Sequence, residues 1–170
     1  MTAIQTGAGI VELTFQHLLP AKFDSPAARV QLLANGLQES GFLTRQQDNG
    51  PARSYWQMEQ GGGIHWTLIN KTTGPYARTA CSLRAVAPIE SDVYAAFLSD
   101  DLLACVFARL LLWADPSPLP QLGDEADAFM LYLATWNPGA YARGDAGQRA
   151  EIEARFFRNY AAAVQAVRGH

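Results

Sequence analysis

Apolar side chains recur at three- and four-residue spacing along most of this chain, the period that gathers them on one face of an α-helix. Val30, Leu33 and Leu37 open the pattern. Val93 and Phe97 continue it, followed by Leu102, Val106, Leu110 and Trp113, then Ala126, Phe129, Met130 and Leu133, and finally Ile152, Phe156, Tyr160, Val164 and Val167. The first of these helices has a legible start and stop. Asp24-Ser25-Pro26 sets capping oxygens before a proline, and Ser40-Gly41 supplies residues that end helices, so about four turns are expected between them. Gly61-Gly62-Gly63, Thr73-Gly74-Pro75, Asp115-Pro116-Ser117-Pro118 and Asn137-Pro138-Gly139 break the helical pattern, because glycine costs backbone entropy and proline lacks the amide donor. Alternating β-branched runs, repeats and low-complexity linkers are absent from the sequence. The expectation is one compact, mainly α domain over residues 1–170, with at most a small β element.

With 170 residues, 49% of them hydrophobic and 17% charged, the chain can bury a proper core and lies outside the compositional range of disorder. Surface scaling puts the folded area at roughly 8,000 Å². Thirteen basic against sixteen acidic residues leave no excess for neutralising phosphates, which argues against general nucleic-acid binding. Two cysteines, Cys81 and Cys105, are too few for a disulfide framework, and their surroundings read as helix interior, so both are expected as packed thiols. No apolar stretch following a charged start marks a secretory signal. The longest apolar run, Leu102 to Ala114, is broken by Arg109 and too short to span a bilayer.

Metal and phosphate signatures fail. His17, His65 and His170 stand apart, no His-Glu-x-x-His occurs, the glycine run lacks the Lys-Ser/Thr of a phosphate loop, and no serine-hydrolase elbow is present. No metal or organic cofactor is expected. One segment stands out: Leu37-Gln38-Glu39-Ser40-Gly41-Phe42 sets a carboxylate in the last turn of an apolar helix, where the negative dipole end and partial burial both disfavour ionisation. A glutamic acid held protonated near neutral pH is the proton donor that a glycosidic oxygen requires. The plain alternative is a helix-end glutamate facing water. Downstream, Gly50-Pro51-Ala52-Arg53-Ser54-Tyr55-Trp56-Gln57-Met58-Glu59 runs from a turn into two aromatics and an amide, residue types that stack on pyranose rings and bond their hydroxyls.

These residues resemble the lytic transglycosylases of the lysozyme-like superfamily. Their signature is Glu-Ser-x-Phe followed by Gly-Ala-x-Gly-Leu-Met-Gln, with glutamate and glutamine eighteen positions apart; Glu39-Ser40-Gly41-Phe42 and Pro51 to Gln57 reproduce that spacing without a gap. A third element, Ala-Tyr-Asn-Ala-Gly, is matched by Thr135-Trp136-Asn137-Pro138-Gly139. Pro51 and Ser54 replace glycines of the pattern, which stiffens the turn. Trp136 replaces a tyrosine whose hydroxyl reaches the catalytic carboxylate, so the acid is expected to be tuned another way or activity to be reduced. A second resemblance, to phage-type lysozymes, rests on Asp48 and Ser54 lying nine and fifteen positions after Glu39, with serine in place of threonine. In a hydrolase of that type Asp48 and Ser54 would hold a water or steady the oxocarbenium-like centre. Asp48 has the alternative of being an ordinary turn residue.

The resemblance implies a lysozyme-like, mainly α domain that cuts the β-1,4 bond between N-acetylmuramic acid and N-acetylglucosamine in peptidoglycan glycan strands. It implies Glu39 as general acid and later base. Ser40, Gln57, Trp136 and Asn137 position the acid or the sugar's groups, and Tyr55 or Trp56 forms the groove wall, at least one of the two packing inward. Around this site, Arg45, Arg53 and Arg78 are expected as a positive rim, Trp66 as a buried aromatic beside a satisfied His65, and Glu59 as a solvated helix-end charge. The pairs Arg149 with Glu153 and Glu151 with Arg155 read as a solvated helix face. A wall substrate without a secretory signal predicts synthesis in the cytoplasm and delivery by another system, with virion or lysis-cassette partners. The rival expectations are a non-catalytic phage structural or assembly protein that retains the shape, and a helical interaction module with Glu39 exposed.

Overall fold

Nine α-helices make up most of the regular structure of residues 2–169, the part that the computed structural model describes. They are α1 (Ala3–His17), α2 (Pro26–Glu39), α3 (His65–Ile69), α4 (Gly74–Leu83), α5 (Glu90–Ala96), α6 (Asp101–Ala114), α7 (Glu125–Trp136), α8 (Gly139–Arg143) and α9 (Ala146–Arg168). A mainly α fold is therefore what this sequence forms. Among the described residues the only β pairing is two isolated antiparallel bridges, Gln46 with Arg53 and Arg53 with Met58. Helix α2 starts on the Ser25 hydroxyl, which accepts the Ala28 amide, with Pro26 at its first position. α1 has no counterpart in the apolar spacing because Gly7 and Thr14 take buried positions on its inner face; a capping box between Thr2 and Gln5 starts it.

Helix α6 is the centre of the molecule. It buries every residue from Leu103 to Leu110 and packs against α1, α2, α3, α4 and α7. The longest helix, α9, lies along α2 and also meets α1, α7 and α8. The buried apolar side chains join into one cluster reaching from Ile10 to Ala163, and the exposed area of 8491 Å² agrees with the size expectation. Both cysteines are free and buried in it, and burial pushes their thiols up to about 11 for Cys81 and about 12 for Cys105. No helix of the described residues is long and apolar enough to cross a membrane.

Phe42 fixes the entry to the site. Its backbone takes a left-handed conformation (φ 55°) just after α2, and its ring enters a notch between α1 and α2. Only glycine leaves that notch open: a Cβ at Gly7 would lie 2.6 Å from the ring, and one at Gly36 2.3 Å. The ring then meets Tyr55 and Trp56 edge-on, which anchors the 50–59 segment against the end of α2.

Candidate active site

Glu39 closes α2, and its neighbours hold that helix end in place. Gln38, buried beside it, donates to the Ile152 carbonyl and accepts from the Asn159 amide, tying the last turn of α2 to α9. Ser40 donates through Oγ to the Tyr55 carbonyl (2.7 Å) and accepts the Phe42 amide, so it fastens the chain reversal. It acts on the backbone and does not line the cleft.

The Glu39 carboxyl sits on the floor of a cleft of about 660 Å³, together with Gln57, Tyr132, Trp136, Asn137 and Arg155. Tyr132, itself buried, donates its hydroxyl to Oε1 of Glu39 at 2.6 Å. Oε2 accepts no hydrogen bond from the described residues. Desolvation raises the carboxyl to about 7, against the opposing pull of the Tyr132 hydroxyl and the Arg155 charge. The Tyr132 hydroxyl is in turn pushed up, by its burial and by the adjacent carboxylate. Around neutral pH the site thus holds a carboxyl divided between its two forms, with one oxygen fixed and the other facing the cleft.

A tyrosine hydroxyl reaches the Glu39 carboxyl from four residues before Trp136. Tyr132 and Trp136 lie one turn apart on the same face of α7, so the hydroxyl comes from the preceding turn and the indole is free for another task. Trp136 donates Nε1–H to the Trp56 carbonyl at 2.8 Å, locking the end of α7 to the residue before Gln57. The interval of four from Trp136 was the signal available in the sequence for Tyr132.

The 50–59 segment is arranged differently from its expected part as a groove wall. Trp56 is fully buried, its indole donating to the Leu32 carbonyl, and Tyr55 is 5% exposed. Both side chains are core, because the Phe42 ring and the base of α2 occupy the faces they present. Ser54 is also buried; it adopts φ 70° and accepts the Trp56 amide, which makes it a turn residue and not a water-holding group of the cleft. Asp48 is exposed in a turn and lies outside the residues that line the cleft. From this segment Gln57 and Glu59 do reach it. Gln57, at φ 48°, donates to the Ser54 carbonyl (2.7 Å), which leaves its amide oxygen for a ligand. Asn137 caps α7 in a left-handed conformation (φ 44°), as a C-cap asparagine does, and lines the cleft as well.

The expected positive rim forms from other arginines. Arg45 pairs with Asp101, Arg53 stacks over Tyr94, and Arg78 donates to the Leu68 carbonyl, so each serves the scaffold. Arg143 and Arg155 line the cleft instead. Arg155 makes no ion pair with Glu151, nor Arg149 with Glu153; Arg149 donates to the carbonyls of Tyr141 and Ala142. Trp66, expected inside, is 61% exposed, while His65 does find a partner in Glu90 at 2.6 Å. Among the described residues no group of three or more His, Cys, Asp or Glu is placed to hold a metal ion. Comparison with family models, with curated proteins and with solved structures finds no match for this chain.

Proposed function

We propose that this protein is a peptidoglycan-cleaving glycosidase, of the lytic transglycosylase type, acting on the β-1,4 bond between N-acetylmuramic acid and N-acetylglucosamine. The observation that carries the reading is the half-buried Glu39 carboxyl lining the cleft, held through Oε1 by Tyr132, with the amides of Gln57 and Asn137 lining the same cleft. A carboxyl raised to about 7 retains a proton to give at neutral pH and then becomes a base matched to taking one back.

In the first half of the reaction the proton on Glu39 passes to the glycosidic oxygen as the C1–O bond breaks, N-acetylglucosamine leaves with that oxygen as its 4-hydroxyl, and positive charge develops at C1 of the muramyl ring that stays. In the second half the Glu39 carboxylate takes the proton of that sugar's own 6-hydroxyl while its oxygen bonds to C1. This closes an anhydro ring and restores the acid. Tyr132 serves both halves by fixing one oxygen, so that the proton leaves and returns through the other. The carboxamides of Gln57 and Asn137 suit the acetamido and hydroxyl groups of the sugars.

The transglycosylase is favoured over the hydrolase because Asp48 lies away from the cleft, and the anhydro-forming route uses one carboxyl group. Glu59 lines the cleft and is exposed. Mass spectrometry of isolated cell walls digested by the purified protein tests the reading: anhydro-muramyl ends are expected. Reducing ends would assign a hydrolase, and an unaltered wall would favour the non-catalytic structural protein.

A further inference from the structure

A second cavity, of about 370 Å³, abuts the first and shares Gln57, Glu59, Trp136 and Asn137 with it. Trp66 forms its outer wall, with Leu111 and Met58 beneath. Of the four tryptophans Trp66 is the most exposed. Trp56 is buried in the core, Trp136 is partly buried, and Trp113 is 40% exposed, with the Arg109 guanidinium over its ring. Among the described residues no cation lies on the face of Trp66, and no ring meets it apart from the edge of His65, 5.3 Å away at 77°. His65 is itself held by Glu90, so the indole is steadied from one side and open on the other. The floor beside it is bare: Gly62 lines the cavity, and a Cβ built there would meet only the Glu59 Cβ, at 3.6 Å.

An apolar ring left in water forfeits the gain of burial, and the ring here lines a concave space with two carboxamides that the acid's cleft shares. Flat apolar faces bordered by hydrogen-bonding groups are the two halves of pyranose chemistry, whereas an apolar peptide would leave Gln57 and Asn137 unmatched. We infer that Trp66 is the stacking platform of a distal sugar-binding subsite, which holds another pyranose ring of the glycan strand whose bond is cut at Glu39. The inference rests on the function proposed above and adds to it a preference for strands long enough to reach both cavities. Trp66 grips substrate away from the reacting bond, so it sets affinity and not the chemical step.

The test uses the full chain in a Glu39→Gln background, titrated by calorimetry with purified, uncross-linked peptidoglycan glycan strands graded by length. Trp66→Ala is expected to weaken binding of long strands about tenfold and to leave disaccharide binding unchanged, with Trp66→Phe intermediate. In the active protein, Trp66→Ala is expected to raise KM for long strands by a similar factor, with kcat within about twofold. Because Trp66 is exposed, the circular dichroism of the variants should match the parent. Equal loss at every strand length overturns the platform. So does unchanged binding alongside Glu39-dependent turnover, or a change in self-association with glycan affinity intact; each of these leaves the proposed function standing. Absence of Glu39-dependent product from any glycan overturns the proposed function and the platform together.

Discussion

At Glu39 the cost of burying a carboxyl is also its chemical use. The fold raises its proton affinity, from an ordinary value of 4.5 to about 7, so between those pH values the folded chain holds a proton that the unfolded chain has released. Stability on account of this residue therefore falls as pH rises through that window, by about 3 kcal/mol at most, and levels off above it. Glu39→Gln keeps an oxygen for Tyr132 and removes the titration. Denaturant unfolding from pH 4 to 9 should find the variant gaining on the parent as pH rises and the difference flattening above about 7; a gap independent of pH would contradict the burial argument. Tyr132→Phe keeps the ring among Phe129 and Phe156 and deletes the donor. The hydroxyl favours the charged form, so its loss should shift the alkaline limb of the activity profile upward and lower kcat about tenfold. An unmoved limb would show that the 2.6 Å bond does not govern the acid.

Among the elements, the junction of α1, α2 and the 50–59 segment depends on Gly7 and Gly36, while Gly9, which looks alike in sequence, stands in open space. Gly36→Ala gains helix propensity and yet drives a Cβ into the Phe42 ring, so a net loss of about 2 kcal/mol is expected. Gly9, also in a helix, has nothing within 4 Å of a built Cβ, and Gly9→Ala should add about 0.5–1 kcal/mol. Paired chemical denaturation of the two variants checks this, and equal signs would refute the notch. At this scale the sequence was legible wherever periodicity and caps agreed, as in α2, α6, α7 and α9. It was not legible for α1, where Gly7 serves packing against Phe42 and interrupts the apolar face. The site divided in the same way. Glu39, Gln57 and Asn137, which the resemblance implied, reach the cleft, because a helix end and two left-handed turns carry them to it. Tyr55 and Trp56 read as groove aromatics only while the Phe42 ring that claims them lay out of view. Tyr132 hid for a related reason: a one-turn displacement along α7 conserves its direction but breaks the motif.

Across the whole molecule, α6 anchors the core while the ends of α2 and α7 meet the 57–59 segment around a trough of three adjoining cavities that share lining residues, from Trp66 past Glu39 to Arg143 and Arg155. A trough of that kind suits an extended polymer more than a compact metabolite. The anhydro-forming route makes Glu59 dispensable, so Glu59→Gln should keep wall cleavage within about threefold of the parent; a collapse of the cleavage rate would instead give Glu59 a part in the reaction. The most direct measurement is the release of soluble muropeptides from purified peptidoglycan near pH 6, comparing the parent chain with Glu39→Gln. Steady release by the parent and none above background by the variant is the predicted result. No release by the parent, or undiminished release by the variant, would contradict the account.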